Sequence, residues 1–396
     1  LVKEMAKTLG TRVRYCPQEK LFSEVLEIAR PLDTIMTLGA GELHLLHQEL
    51  KEHLRVPKGA GLIKKYRLGV VSGGQSPEHE VSLRSREVSL LHVDQEVCEI
   101  VSLTIGTDGR WCDADGLSLA SGEGIDRLKE CDVVWPLLHG PNGEDGLIPA
   151  ALQVAGIPYI GCGRESCAIA MNKALTKQLL EHHEVPVVPF LHLRRNMSAK
   201  EIAAYLDRAV EKWGFPLFAK GVHLGSTLGV YRVADRSELV AAVEAIWSLD
   251  DQMVIEPLIE GRELEFAVYG NDEPICFPPG EIMSAGRVHT YEGKYGTALT
   301  PYRVMADMET DLLEAGWALA ERVYRLLGCC GCARIDTFLT TDRGFLINEV
   351  NPMPGMTSTS LYPMMCEANG LSREAWIEYQ LSSALFRTQR EICGQR

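Results

Sequence analysis

Two acids and an amide gather near the C-terminal end of the chain: Asp336 in RIDTFL, then Glu349 and Asn351 in INEVNP, with Arg334 two residues before Asp336. The surrounding segments have the apolar content of two strands joined by Thr341-Asp342-Arg343-Gly344. If Asp342 and Arg343 centre the turn, antiparallel pairing sets Asp336 opposite Glu349 and Arg334 opposite Asn351. Side chains alternate along a strand, so all four project from one face. Directly opposed carboxylates repel each other. A divalent cation between them turns that repulsion into binding. Hard Mg²⁺ takes carboxylate and amide oxygens and completes its shell with water and phosphate oxygens. The plainer alternative is a solvated polar face whose charges are unrelated.

Other stretches have residue types suited to anions. HLGSTLGV sets Gly225 and Gly229 around Ser226 and Thr227, just after Lys220 on a strand. The backbone N–H groups of such a loop can cradle phosphate. Neither a Walker A loop nor a complete G-x-G-x-x-G opening a helix occurs. Lys220 and Lys173 are candidate phosphate cations, although a lone lysine is equally compatible with surface. VVWPLLHGPNGEDG puts His139 at a strand end, and SGGQSPEHE ends another strand with Glu80 near a helix start. Ligands of open α/β sheets bind at the carboxyl ends of strands. Residues 284–304 form a long polar stretch with the character of a lid, and Lys294 and Tyr295 lie near its middle. Hairpin glycines and a structural histidine remain the simpler readings of these segments.

The elements that would position these groups follow from the wider pattern. A chain of 396 residues holds two to four domains, and 46% hydrophobic with 24% charged residues is ordinary for a globular protein. A net charge of −14 argues against general binding to nucleic acid or anionic membrane. No apolar run reaches the roughly 18 residues of a membrane span, and no signal-peptide pattern is present. The 12 cysteines lack a framework spacing, and Cys329, Cys330 and Cys332 form no usual zinc signature. Free, buried thiols and a reducing cytoplasm are expected. From Leu68, short strands alternate with helices, which predicts a doubly wound parallel sheet. A second unit begins at CAIAMNKALTK, and a third, mostly antiparallel, at QMVIEPLIEGRELEFAVYG. Residues 1–66 have a separate pattern: helix, strand, Gly39-Ala40-Gly41 turn, helix and a linker, too little for a core of their own. Residue 1 is Leu, so the numbering is expected to start inside a longer chain or after processing.

Taken in order, GGQSPEHEVSLRS, HGPNGEDG, IPYIGCG, MNKALTK, LGSTLGV, EGRELEFAV, YEGKY, RIDTFL and NEVNPMPGMTSTSLYP closely resemble the D-alanine–D-alanine ligase family of the ATP-grasp superfamily. The ordered set is far more specific than any one stretch. The resemblance implies an α/β fold, α+β in parts. Its domains would be an N-terminal Rossmann-like domain (67–163), a central lid domain (164–255) and a C-terminal, mainly antiparallel catalytic domain (256–396). It implies that ATP phosphorylates one D-alanine and that the second D-alanine attacks the acyl phosphate, making D-alanyl-D-alanine for peptidoglycan. Two Mg²⁺ (or Mn²⁺) on Asp336, Glu349 and Asn351 would bridge ATP oxygens. Lys173, Lys220, Gly225, Ser226 and Thr227 match phosphate contacts, Glu263 the ribose contact and Glu256 the adenine hinge. Arg334 and the Gly355 N–H match oxyanion stabilisers. Glu80, near His139, matches the partner of the first ammonium, and Ser226 and Tyr295 a network with Glu80. Lys294 and Ser360 match groups that meet the second carboxylate.

Two positions depart from the family's habit: Gly221 follows Lys220 where proline is frequent, and Thr227 stands where serine is frequent. LDTIMTLGAGELHLLHQELKEHL resembles the end of UDP-N-acetylmuramate–L-alanine ligase, which implies a fusion with an upstream Mur-ligase domain in the parent chain. Homodimers, common in the family, are a further expectation. The rival readings are a ligase with another amino acid or a hydroxy acid as second substrate, a fold that kept nucleotide binding without turnover, and residues 1–66 as an interaction module.

Overall fold

A computed structural model describes residues 65–226, 228–283 and 301–392. The stretch resembling a Mur ligase, and with it Thr227, Lys294 and Tyr295, lies outside the described residues.

The first sheet grows around β1 (Tyr66–Gly73), whose run Leu68 to Gly73 is buried throughout. Helix α1 (His79–Leu90) follows, then β2 (Cys98–Ile105), the short β3 (Trp111–Cys112) and β4 (Ser118–Leu119), α2 (Ser121–Leu128), β5 (Val133–Pro136) and α3 (Leu147–Val154). The strand order is β4-β3-β2-β1-β5, with β1 parallel to both neighbours. Parallel strands need crossovers, which α1 and α2 supply. The carboxyl ends of β1 and β5 therefore point the same way, toward the loops that carry Glu78 and His139.

Helices α4 (Arg164–Met171) and α5 (Lys173–His182) lead into β6 (Leu191–Arg194), α6 (Ala199–Trp213), β7 (Leu217–Gly221), β8 (Val230–Val233), α7 (Arg236–Trp247) and β9 (Gln252–Pro257). These strands form an antiparallel sheet of order β6-β9-β7-β8, which extends to Pro257, beyond residue 255. Asn172 caps α5 by accepting the Leu175 N–H at 2.8 Å, which starts the helix at Lys173.

The third sheet comprises β10 (Arg262–Gly270), β11 (Ile275–Cys276), β12 (Gly280–Ile282), β13 (Tyr302–Arg303), β14 (Gly331–Thr340) and β15 (Gly344–Asn351). All of its pairings are antiparallel, in the order β13-β12-β10-β14-β15, with β11 also on β10. Helix α8 (Thr310–Leu326) packs Val323 and Tyr324 into a core that includes Leu264, Phe266, Ile335 and Ile347, to which α4 and α5 also contribute. Helices α9 (Leu361–Ala368) and α10 (Arg373–Ile392) close the chain. Helix α10 returns to the first sheet: Trp376 lies 5.6 Å from Trp135 between ring centroids, and Arg387 donates to the Tyr159 and Gly161 carbonyls at 2.6 and 3.0 Å. Leu68, Val70, Val133, Trp135 and Ile160 share one core with Trp376, Ile377 and Ala384.

The pairing expected at the opening hairpin holds: Asp336 faces Glu349 and Arg334 faces Asn351. Its tip differs from expectation. Thr340 pairs with Gly344, so three residues form the loop, and Gly344 takes φ +67°. A three-residue hairpin ending in a left-handed glycine is a common solution. It would put the acids out of register by one, but a bulge at Asn348, between the pairs Thr337–Ile347 and Asp336–Glu349, restores it. Among the described residues ten cysteines are free, and no cysteines gather into a metal-binding set. Cys329 and Cys332 are buried, and Cys330 partly so.

Candidate active site

The ends of the three sheets line one cleft with about 1130 Å³ of empty space, open to solvent. From the first sheet come Glu78, His139 and Glu144; from α5 and the glycine loop, Lys173, Gly225 and Ser226; from the third sheet, Glu265, Arg334, Glu349 and Asn351. Gly355 and Ser360, from the segment after β15, complete its wall.

The acidic end is built on three neighbouring strands. Glu265 pairs with Asp336, and Asp336 with Glu349, so three carboxylates stand in a row. Arg334 binds both Asp336 oxygens, from Nε and Nη2, at 2.7 Å each, and lies 3.3 Å from Glu265. Burial alone would pull the Arg334 pKa down, but Asp336 and Glu265 hold it well above its ordinary value. Lys173 stands 3.7 Å from Glu349 and donates to the Leu224 carbonyl at 2.5 Å. The Glu349 side chain is 34% exposed against 8% for Asp336; Glu349 lines the cleft, whereas Asp336 is buried and does not. The carboxylates and the Asn351 amide are hard oxygen donors of the kind Mg²⁺ or Mn²⁺ takes, although the three carboxylates do not all come within 4.8 Å of one another. Each Asp336 oxygen keeps another lone pair beside its bond to Arg334, so the two roles are compatible.

Behind the glycine loop lies a buried charge network. Glu256 bonds Lys220 at 2.6 Å through one oxygen and Lys177 through the other. Burial, the largest influence on each of these groups, opposes its charge. For Glu256 the two lysines outweigh burial and lower its pKa. For Lys220 the Glu256 charge outweighs it and the pKa rises, whereas that of Lys177 falls. Lys220 also donates to Asn348 Oδ1 at 3.4 Å, so the bulge turns an amide toward that lysine. Glu256 does not line the cleft, and its carboxylate is committed to the two lysines. Glu263 does not line it either, though its charge supports that of Lys220.

One expected residue is displaced. Glu80 is exposed on the first turn of α1 and does not reach the cleft. Glu78 takes its place: it is buried and accepts a hydrogen bond from Ser226 Oγ, which joins the first sheet to the glycine loop. Two residues along a helix turn the side chain by about 200°, so only one of the pair can face inward. Gly140 and Gly225 both press against Glu78, and a Cβ on either would sit 2.7 or 3.2 Å from its Oε2. Ser226 takes φ +48°, which aims its hydroxyl from the loop. His139 is 4% exposed, with Nδ1 3.6 Å from Glu144 and Nε2 3.1 Å from Ser85 Oγ. Burial disfavours its charge, but Glu144 and Glu78 outweigh that and raise its pKa. Ser360 Oγ accepts the Thr357 N–H at 3.0 Å, and a Cβ at Gly355 would come within 2.9 Å of that oxygen and displace it.

Family models for the D-ala D-ala ligase N-terminus and C-terminus match residues 67–162 and 179–381. The D-alanine--D-alanine ligase of Caldicellulosiruptor bescii is 33% identical over 353 residues, covering 83% of this chain and 97% of the relative. That of Deinococcus radiodurans is 37% identical, covering 78% and 95%.

The chain belongs to the D-alanine–D-alanine ligase family.

Solved structures of the family agree. The ligase from Coxiella burnetii superposes with a TM-score of 0.71 at 29% identity, covering 83% of this chain and 96% of that one. VanG D-Ala:D-Ser ligase from Enterococcus faecalis gives 0.72 at 28%, covering 81% and 100%. A Bacillus anthracis D-alanine--D-alanine ligase complexed with ATP gives 0.67 at 26%, covering 82% and 99%. Sequence reasoning missed Glu78, Lys177, Glu265, Asn348 and Ser85. For Glu78 a signal existed: it sits four residues before Ser82, in line with the buried stripe of α1.

Proposed function

We propose that the chain joins two D-alanines with ATP, through an acyl phosphate, to make D-alanyl-D-alanine. The observation that carries this is the Glu78–Ser226 bond, which draws an amine-binding acid and a phosphate loop to one cleft, opposite the row of acids. Glu78, not Glu80, pairs with the ammonium of the first D-alanine, with His139 beside it. Lys173 and Lys220 hold phosphate oxygens, and Gly225, Ser226 and Thr227 cradle them. Glu263 meets the ribose, and the commitment of Glu256 leaves only the backbone of its strand end to meet adenine. Asp336, Glu349 and Asn351 would hold Mg²⁺, which supplies neutralisation of phosphate charge when bound. Arg334 and Gly355 line the cleft, and the guanidinium of one and the N–H of the other serve as donors for the tetrahedral oxyanion. Ser360 and Lys294 orient the second carboxylate, and Tyr295 joins Ser226 and Glu78 over the closed site.

The D-serine reading implied by the VanG relative is the rival for the second substrate. Leu361 lines the cleft beside Ser360, an apolar neighbour that suits a methyl group. Free thiols and the lack of any described helix long and apolar enough to cross a membrane fit a cytoplasmic reaction. A homodimer belongs to the same proposal and is checked by light scattering. The deciding experiment measures ADP release with Mg²⁺ and D-alanine, alone and with D-lactate or D-serine, and identifies the product. No D-alanine-dependent ADP release would remove the reading.

A further inference from the structure

Helix α1 buries serines where aliphatic residues would be usual: Ser82, Ser85 and Ser89. Alanine would pack as well there, and a buried hydroxyl costs stability unless it is bonded. Ser82 has its reason inside the first sheet. It accepts the Gly73 N–H at 2.7 Å and donates to the Leu137 carbonyl, stitching the ends of β1 and β5. Ser85 has a different one. Its Oγ lies 3.1 Å from His139 Nε2 and accepts the Met356 N–H at 3.3 Å. The Met356 carbonyl in turn accepts from Arg373 Nη1 at 3.2 Å, and Arg373 is held by Glu367 at 3.0 Å. The backbone just after Gly355 is therefore pinned at both its N–H and its C=O.

We propose that Ser85 is a positioning residue for the ligation, its hydroxyl coupling His139 to the Met356 N–H and so anchoring the Gly355–Met356 peptide unit next to the Gly355 N–H. This rests on the reading above, in which that N–H meets the oxyanion. The step concerned is the second one. The neutral D-alanine amine attacks the acyl carbon, a C–N bond forms, the C–O bond to phosphate breaks, and the leaving phosphate carries away the proton that the amine gives up. Phosphoryl transfer from ATP takes place on one oxygen of the same carboxyl group, whereas the Gly355 N–H meets the other oxygen, where full negative charge develops only when the amine adds.

The test separates the two steps. ADP and dipeptide are quantified independently for the full chain and its Ser85→Ala and Ser85→Cys variants, with ATP, Mg²⁺ and saturating D-alanine. In Ser85→Ala the dipeptide formed per ADP is expected to fall about tenfold, the worth of one well-placed hydrogen bond, as acyl phosphate is lost to water. The KM for ATP is expected to stay within about twofold, and Ser85→Cys to recover part of the coupling. Dipeptide and ADP falling in parallel, or coupling unchanged, would overturn the proposal. If Ser85→Ala does not fold, Ser85→Cys decides alone, and wild-type coupling there overturns it. Wild-type chain without D-alanine-dependent ADP release would instead bring down the functional reading itself.

Discussion

At the scale of single residues, the site depends on which of two neighbouring acids turns inward. Glu78 is buried against Ser226, while Glu80 is exposed. Glu78→Gln is expected to lower kcat/KM for D-alanine about tenfold to hundredfold, the worth of a charged hydrogen bond, and Glu80→Gln to leave it unchanged. Steady-state kinetics of the two variants side by side checks this. Motif spacing made Asp336, Glu349, Asn351, Arg334 and the glycine loop legible, because strand alternation and loop glycines leave a local trace. Lys177 left none. Its partner Glu256 lies 79 residues away, and only the packing of α5 on β9 brings them together. Glu256→Gln strands two buried lysines and is expected to cost about 3–5 kcal/mol in urea denaturation. The pKa of Glu256 is held below its ordinary 4.5. Its contribution is thus fully present above about pH 4.5 and lost as pH falls through the folded-state value. The stability gap between wild type and variant should therefore narrow in acid.

At the scale of elements, the hairpin β14–β15 shows why a correct pairing can rest on an incorrect turn. A two-residue turn without a bulge and a three-residue loop with one give the same partners for Asp336 and Arg334. The bulge does more than correct the count. Phe345 and Ile347 enter the core, yet Glu349 and Asn351 line the cleft and Val350 is the core residue after Asn348. One extra residue exchanges the two faces of β15 midway, as bulges near active sites do. No pattern in INEVN announces this, since the core residues Phe345 and Ile347 and the cleft residues Glu349 and Asn351 all fall on odd numbers. Gly344 at the tip can be tested directly. A Cβ there meets nothing within 4 Å, so Gly344→Ala introduces backbone strain alone. About 1–2 kcal/mol of destabilisation is expected from urea curves, with the KM for ATP unaffected.

At the scale of the whole molecule, the cleft is made by three sheets and belongs to none of them. The alternating and antiparallel patterns made the sheets legible, but the expected division at residue 255 falls inside β9, which runs unbroken from Gln252 to Pro257. Ligands that bridge the sheets should hold them together. ATP at a hundred times its Kd is expected to stabilise the fold by about 2.7 kcal/mol. A chelator should shrink that shift in a thermal melt, because the row of acids would then face the phosphates without a cation between them. The return of α10 to the first sheet has a consequence for how the chain is made. Trp135 and Ile160 share a core with Trp376 and Ile377, so one apolar flank of the first sheet stays bare until α10 has left the ribosome. An aggregation hazard thus lasts through the synthesis of everything between the first sheet and α10. A nascent chain stalled before Arg373 should be a client for holding chaperones, whereas one released a few turns later should not.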